Sequence, residues 1–391
     1  MFPNKTDVQI DSQKLVQIVA RQFSKPVSKL VDMKIAPLHG GLEPNHQLIF
    51  LSGEAVLAGE GKDLKDNDDD LIQHPWSLVL KIVHPAPQTE NNPQGVKYWK
   101  REALAYQTGL LQSLSCGLTA PICYEASQEG EDYWLWLEKA EDDFGKPWTL
   151  EQHREVARCL GCSNGAYLVG KSLPNEPWLS QHWLRKYVED AMPNIHNLPK
   201  LRKLPLFQRS FPQLSNDFFS EAWGLRGVFL DELERLPQTF CHQDAFMGNL
   251  FWHGEPGQKG FLTALDWAYA GKAAIGEELA PLIAMSTFTL DAHQLLETCL
   301  EGYLAGLAES EWNADPQQVR FSVLTTLFYR YLIGAMIGEM WAALQDESNH
   351  AAVAAAFGVP DVRVLCDFVA SENSTYQGYF TEVRQLLARL H

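Results

Sequence analysis

An aspartate, an asparagine five positions on and a second aspartate 22 positions after the first are the residues of this 391-residue chain best suited to chemistry. They lie in Cys241-His242-Gln243-Asp244-Ala245-Phe246-Met247-Gly248-Asn249-Leu250-Phe251 and in Leu265-Asp266-Trp267. A carboxylate at Asp244 can orient an attacking hydroxyl and take its proton. An amide at Asn249 and a carboxylate at Asp266 can hold Mg²⁺ against nucleotide phosphates. The trio therefore suits phosphoryl transfer. Alone, an H-x-D-x-x-x-x-N string is a weak signal, because Asp and Asn are common in turns. His242 reads as support for the loop rather than as an acid or base.

Something must bring Asp266 back to Asn249. Leu250-Phe251-Trp252 reads as a short strand, residues 253–260 are dense in turn formers, and Phe261-Leu262-Thr263-Ala264-Leu265 reads as a second strand. The hairpin between them predicts that Asp266 returns beside Asn249. Two oxygen ligands from neighbouring strand ends suit Mg²⁺, which keeps few protein ligands and fills its shell with water and phosphate. Gly248 is expected to supply backbone angles closed to other residues.

A nucleotide site also needs a cation for the inner phosphates and an anion to position it. Ser77-Leu78-Val79-Leu80-Lys81-Ile82-Val83 is an apolar strand with one embedded lysine. A strand lysine commonly points to solvent; a buried one is costly unless paired. Downstream, residues 98–113 have helical character, with Glu102 one turn in. A strand Lys followed about 20 residues later by a helix Glu is the ion-pair order of kinase nucleotide sites.

With these five residues in this order, the chain resembles the aminoglycoside phosphotransferases and their choline-kinase-like relatives, small-molecule kinases with a protein-kinase-like fold. The resemblance runs from about Lys34 to the last helices. It implies that Lys81 binds phosphate, that Glu102 is its helix partner, that Asp244 is the catalytic base and that Asn249 and Asp266 are the Mg²⁺ ligands. Arg158-Cys159-Leu160-Gly161-Cys162-Ser163-Asn164-Gly165-Ala166-Tyr167-Leu168 resembles an L-G-x-x-N-G-A-Y-L helix of some bacterial members. Gly276-Glu277-Glu278-Leu279-Ala280 resembles the acidic-Leu-Ala stretch after the metal aspartate; with Glu in place of the usual Asp it is given no site role. There are departures. The G-x-G-x-x-G loop of protein kinases is absent, and His39-Gly40-Gly41-Leu42-Glu43-Pro44-Asn45-His46 stands in its place. Backbone N–H groups around Gly40 and Gly41 can approach phosphate, although a plain hairpin turn reads equally well. Trp-Ala follows Asp266 where protein kinases have Phe-Gly, and no A-P-E follows, so a protein kinase is disfavoured.

The implied fold is α+β and two-lobed: a small lobe, residues 1–137, with a five-stranded antiparallel sheet and one main helix; a hinge at 138–143; and a larger, mostly helical lobe with the catalytic hairpins, 144–391. Strands are expected near 34–38, 47–51, 77–83, 120–125 and 133–137. Helices are expected over 149–169, 178–191, 212–235, 276–289, 291–308, 315–344 and 360–389, with a loop over Leu198–Pro212. A purine at the hinge would bond backbone groups around Glu138 and Ala140, a site that cannot separate ATP from GTP.

Composition sets bounds. Hydrophobic content of 46% fits a globular protein large enough for a well-buried core. No run of 18 apolar residues suggests a spanning helix, and the N-terminus lacks a signal pattern, so a cytoplasmic protein is expected. A net charge of −17 disfavours nucleic-acid and anionic-membrane partners and mildly favours cationic substrates by steering. Part of it lies in Asp63–Asp70, which reads as a solvated insertion. Seven scattered cysteines argue against a disulfide framework, and the one C-x-x-C, Cys159 and Cys162, reads as packing. The expected reaction is ATP- or GTP- and Mg²⁺-dependent phosphorylation of a small-molecule hydroxyl. A catalytically silent nucleotide-binding module is the rival. The acceptor stays open: Glu339, Asp346 and Glu347 offer acids for an aminoglycoside, and Tyr329, Tyr331 and Trp341 offer an aromatic cage for an amine. Both sets also read as ordinary helix residues, and a sugar or other alcohol fits as well.

Overall fold

The computed structural model describes residues 8–38, 46–58, 72–85, 91–190, 195–196, 198–212, 215–254, 260–356 and 358–390. Gly40, Gly41 and the acidic run Asp63–Asp70 lie outside them. The chain divides into two compact units. One comprises Met1–Thr89, Ala103–Thr108 and Pro121–Ala140; the other comprises Glu90–Glu102, Gly109–Ala120 and Glu141–His391.

The first unit is built on a five-stranded antiparallel sheet of order β1-β2-β3-β6-β5. Its strands are β1 (Val27–Leu38), β2 (His46–Leu57), β3 (Gln73–Val83), β5 (Cys123–Glu129) and β6 (Asp132–Leu137). All five exceed their expected lengths, because cross-strand pairing extends regular structure beyond the apolar runs that sequence periodicity detects. Helix α1 (Ser12–Phe23) starts at Asp11, whose carboxylate accepts from Gln13 N–H at 3.0 Å, and lays Leu15, Ile18 and Val19 on the sheet. In β3, Trp76, Leu78, Leu80 and Ile82 alternate into that cluster. Period-2 geometry turns Lys81 to the opposite face of the sheet.

Helix α2 (Arg101–Gln107) is shorter than residues 98–113 suggest. Thr108 folds its hydroxyl back onto Leu104 C=O at 2.8 Å, Gly109 turns at φ 72°, and a separate 3₁₀ turn follows at Leu110–Ser113.

The second unit is mostly helical and holds two small sheets. Strand β4 (Leu118–Thr119) runs parallel to β9 (Phe261–Ala264), which pairs antiparallel with β8 (Leu250–His253). Strand β7 (Gln238–Cys241) pairs antiparallel with β10 (Gly271–Ala274). Helix α3 (Leu150–Ala166) opens with a capping box between Thr149 and Gln152. It packs backbone to backbone on the helix Ala292–Glu309. A Cβ at Gly161 would lie 2.2 Å from Tyr303 O, and one at Gly306 would lie 1.9 Å from Arg158 O. Only glycine allows that approach.

Two expectations change here. The stretch Leu198–Pro212 is not a plain loop but carries short helices at Leu198–Leu201 and Pro205–Ser210, the second entered through its own proline. Cys116 and Cys162 are joined as a disulfide, their Cα atoms 5.6 Å apart, so two of the cysteines are not simple packing residues. Their 46-residue separation gives no local sequence signal. Among the described residues, no helix is long and apolar enough to cross a membrane.

Candidate active site

Strand β7 delivers the chain to His242 and is pinned by β10, with Cys241 opposite Gly271. The His242 ring is buried and bonded at both nitrogens. Nδ1 accepts from Asp244 N–H at 3.1 Å, and Nε2 donates to Leu265 C=O at 2.7 Å. That pair fixes a neutral imidazole with its proton on Nε2. His242 thus ties the loop holding Asp244 to the end of the strand before Asp266, with Trp267 tilted against it at 4.5 Å.

Asp244 has both carboxylate oxygens engaged. Asn249 Nδ2 donates to Oδ2 at 3.0 Å and to the Asp244 backbone C=O at 3.1 Å. Arg330 Nη2 donates to Oδ1 at 2.9 Å. Gly248, between them, does not have a positive φ, contrary to expectation; the Phe246 ring edge lies over it, 2.3 Å from where a Cβ would stand.

The expected hairpin is present: Leu250 pairs with Ala264, and Leu265 N–H donates to Asn249 C=O at 2.8 Å. Leu265, which links the strand to Asp266, is therefore hydrogen-bonded to Asn249 itself. Asp266 sits in the left-handed region at φ 62°, ψ 68°, a conformation that costs a non-glycine residue about 1 kcal/mol and gathers at functional sites. The hairpin is strapped from outside. Asp142 accepts from Trp252 N–H and Asp143 from Gly254 N–H, both at 2.9 Å, while Asp143 N–H donates to Trp252 C=O at 2.8 Å.

The oxygen donors present fit a Mg²⁺ ion. The Asn249 amide nitrogen donates twice to Asp244, so its Oδ1 and the Asp266 carboxylate are the oxygens that would hold the ion.

Beneath the loop lies a saturated polar network. Glu278 accepts from His242 N–H with one oxygen and from Asn164 Nδ2 at 2.9 Å with the other. Asn164 Nδ2 also donates to Phe240 C=O at 3.0 Å, and its Oδ1 accepts from Tyr303 O–H at 2.7 Å. Burial raises the Glu278 carboxyl from its ordinary range, and the amide donors around it oppose that rise. The Asn-Gly-Ala-Tyr helix and the Glu-Leu-Ala stretch, two separate resemblances in the sequence, are thus one device that holds the Asp244 loop. Glu278, given no role from sequence, anchors it.

Two arginines were also missed. Arg330 sits in a π-helix (Leu327–Met340), 7% exposed, bonded to Asp244 and to Gln243 C=O, with its guanidinium 4.5 Å from the Trp183 ring. Its signal was legible: it is the one charge in residues 321–338. Arg101 is fully buried. Its five N–H groups meet the carbonyls of Trp178, Val96, Ala268, Pro93 and Gly95 at 2.7–3.2 Å. Burial without a carboxylate partner lowers its pKa to about 10. Arg101 fixes the start of α2, hence Glu102, and the turn two residues past Asp266.

The remaining expected residues fall as follows. Lys81 is 6% exposed, between Leu48 and Leu135 in the register, so it does not point to solvent. Glu102 is 3% exposed. Glu138 follows β6, and its N–H donates to Ile122 C=O at 2.9 Å, which commits that donor within the sheet. Tyr329, hydrogen-bonded to Ala222 C=O, and Trp341, packed on Phe207, are core residues; Tyr331 lies against Arg330. Asp346 caps a turn at Ser348, and Glu347 is exposed, while the Glu339 side chain lies outside the described residues.

The site thus joins the Asp244 carboxylate, held by the Asn249 amide, to a hairpin whose far strand leads into Asp266. Residues 179–321, which contain Asp244, Asn249 and Asp266, match the model of the APH family, the phosphotransferase enzyme family, in agreement with the sequence resemblance. No curated protein matches the chain. Among solved structures, the chain is similar to choline kinase from Cryptosporidium parvum Iowa II, at 14% identity over 97% of each chain with a TM-score of 0.49. It is similar to Plasmodium vivax ethanolamine kinase, at 12% identity over 96% of this chain and 92% of that one, TM-score 0.48. The GDP complex of wild-type aminoglycoside 2'-phosphotransferase-IIIa shares 10% identity over 98% of this chain and all of that one, TM-score 0.47.

Proposed function

We propose that this chain is a kinase of small molecules that moves the γ-phosphoryl group of ATP or GTP to an alcohol. The observation that carries the reading is the Asp244 carboxylate, oriented by Asn249 and Arg330, one strand end from Asp266. In this reading the acceptor hydroxyl donates to Asp244. Its oxygen attacks the γ-phosphorus, the bond to the leaving nucleoside diphosphate breaks, and the hydroxyl proton passes to Asp244. Asn249, through Oδ1, and Asp266 hold Mg²⁺, which when bound neutralises phosphate charge. Lys81 and Glu102 take the roles of phosphate-binding lysine and acidic partner, and the Glu138 carbonyl with the Ala140 backbone takes the base. Because the site reacts little covalently with its substrates, its power is positioning and electrostatics. The polar network under His242 serves that purpose.

The grip of Arg330 on Asp244 Oδ1 favours a second reading, a nucleotide-binding module without turnover. One experiment separates them. Melting curves with Mg-ATP and Mg-GTP are followed by coupled ADP- or GDP-release assays on sugars, amino alcohols and aminoglycosides. A nucleotide-dependent rise in melting temperature together with acceptor-dependent release supports the kinase. A rise without release from any acceptor supports the silent module, and no rise with either nucleotide sinks both.

A further inference from the structure

Arg330 is ringed by aromatic side chains as well as bonded to Asp244. Its guanidinium carbon lies 4.5 Å from the Trp183 ring centre and 5.3 Å from that of Tyr331. Trp183 in turn stacks on Tyr187 at 4.8 Å and leans on Tyr269 at 5.3 Å. Gly334, one turn beyond Arg330, gives Tyr187 its room, since a Cβ there would lie 2.3 Å from the Tyr187 ring. Aromatic faces gathered next to a carboxylate are the surround that takes an ammonium ligand. Here a side chain of the protein fills it.

The geometry limits what can react. A hydroxyl that donates to Asp244 Oδ1 lies no more than about 6 Å from Arg330 Nη2. An ammonium two carbons from that hydroxyl would lie close to a fixed positive charge, and like charges at that range repel. The net charge of −17 draws cations toward the molecule as a whole, yet the charge beside the proposed base has the opposite sign.

We infer that Arg330 replaces the cationic group of an amino-alcohol acceptor, so that this chain phosphorylates an alcohol with no ammonium next to its reactive hydroxyl, a neutral polyol or a hydroxy acid. This rests on the kinase reading for the reaction, but the filled aromatic cage stands apart from it. Arg330 is then a specificity-determining residue that also positions Asp244.

The test has two arms. In the first, tetramethylammonium chloride is titrated into the wild-type protein and into R330A, and binding is read by tryptophan fluorescence and calorimetry against matched sodium chloride. The expected result is no saturable binding to the wild type and at least tenfold tighter binding to R330A, whose cage is empty. Saturable wild-type binding at or above the strength shown by R330A overturns the inference. R330V replaces R330A if the latter melts below the assay temperature. In the second arm, wild-type turnover is compared over matched pairs: ethylene glycol with ethanolamine, glycerol with 3-amino-1,2-propanediol, glucose with glucosamine. In every pair that reacts, kcat/KM is expected to favour the neutral partner at least tenfold, and R330V is expected to shrink that ratio while lowering kcat. A pair in which the amine is preferred overturns the inference. Absence of turnover in all pairs together with no nucleotide response sinks the kinase reading instead, and the titration still judges the cage.

Discussion

At the scale of single residues, the site is a set of side chains with one task each. Asp244 is the only proposed base, and it is held by two donors. Asp244→Asn keeps the shape and the hydrogen bond from Arg330 but cannot accept the proton, so kcat is expected to fall by about three orders of magnitude or more. The dissociation constant for Mg-nucleotide, measured by calorimetry, is expected to change by less than about threefold. Near-wild-type kcat would remove Asp244 from its proposed role. Asp266→Ala is expected to do the reverse: nucleotide affinity falls tenfold or more in Mg²⁺, by loss of a charged ligand, with little change in EDTA. An affinity equally Mg²⁺-dependent in the variant would argue that Asp266 does not hold the ion.

At the scale of elements, catalytic geometry depends on how closely two helices approach. Helix α3 carries Asn164, the helix Ala292–Glu309 carries Tyr303, and the bond between these side chains needs the backbones to touch at Gly161 and Gly306. Gly306→Ala puts a methyl group 1.9 Å from Arg158 O, and backbone cannot yield as a flexible side chain would. A loss of about 2–4 kcal/mol in urea unfolding is expected. The separation of the helices should also weaken the support of the Asp244 loop, so kcat should fall at temperatures where the variant is still folded. An unchanged unfolding midpoint would show that the helices are not so tightly coupled.

At the scale of the whole molecule, a large acidic excess coexists with buried acids. Burial raises the Glu277 pKa to about 7, with Glu234 adding to the rise and the Ala274 N–H and Arg330 opposing it. Its folded value lies above the unfolded one, so its protonated form contributes stability that is complete below about pH 4.5 and is lost as pH climbs to about 7. Glu277→Gln keeps the acceptor for Ala274 N–H, which the carboxylate now takes at 2.7 Å, and removes the charge. The variant is expected to be more stable than wild type at pH 8 by about 1–3 kcal/mol, with the gap closing toward pH 5. A gap independent of pH would show that Glu277 does not titrate in this window.

By itself the sequence determined most of the elements that carry the proposed reacting groups. Asp244, Asn249 and Asp266 were legible because their types and spacing are local, and turn residues between two short apolar runs specify a hairpin. The five-stranded sheet and most helices were legible for the same reason: period and capping act over a few residues. Arg330 was missed and Glu278 was given no role, because their partners lie far along the chain. Arg330 meets Asp244 across 86 positions and Glu278 meets His242 across 36. Such pairings are chosen by packing, which no local pattern encodes. The same holds for the Cys116–Cys162 link. Tertiary structure alone decided what stands next to the proposed base, because a charge acts on whatever lies within a few ångströms of it, however far away it lies along the chain.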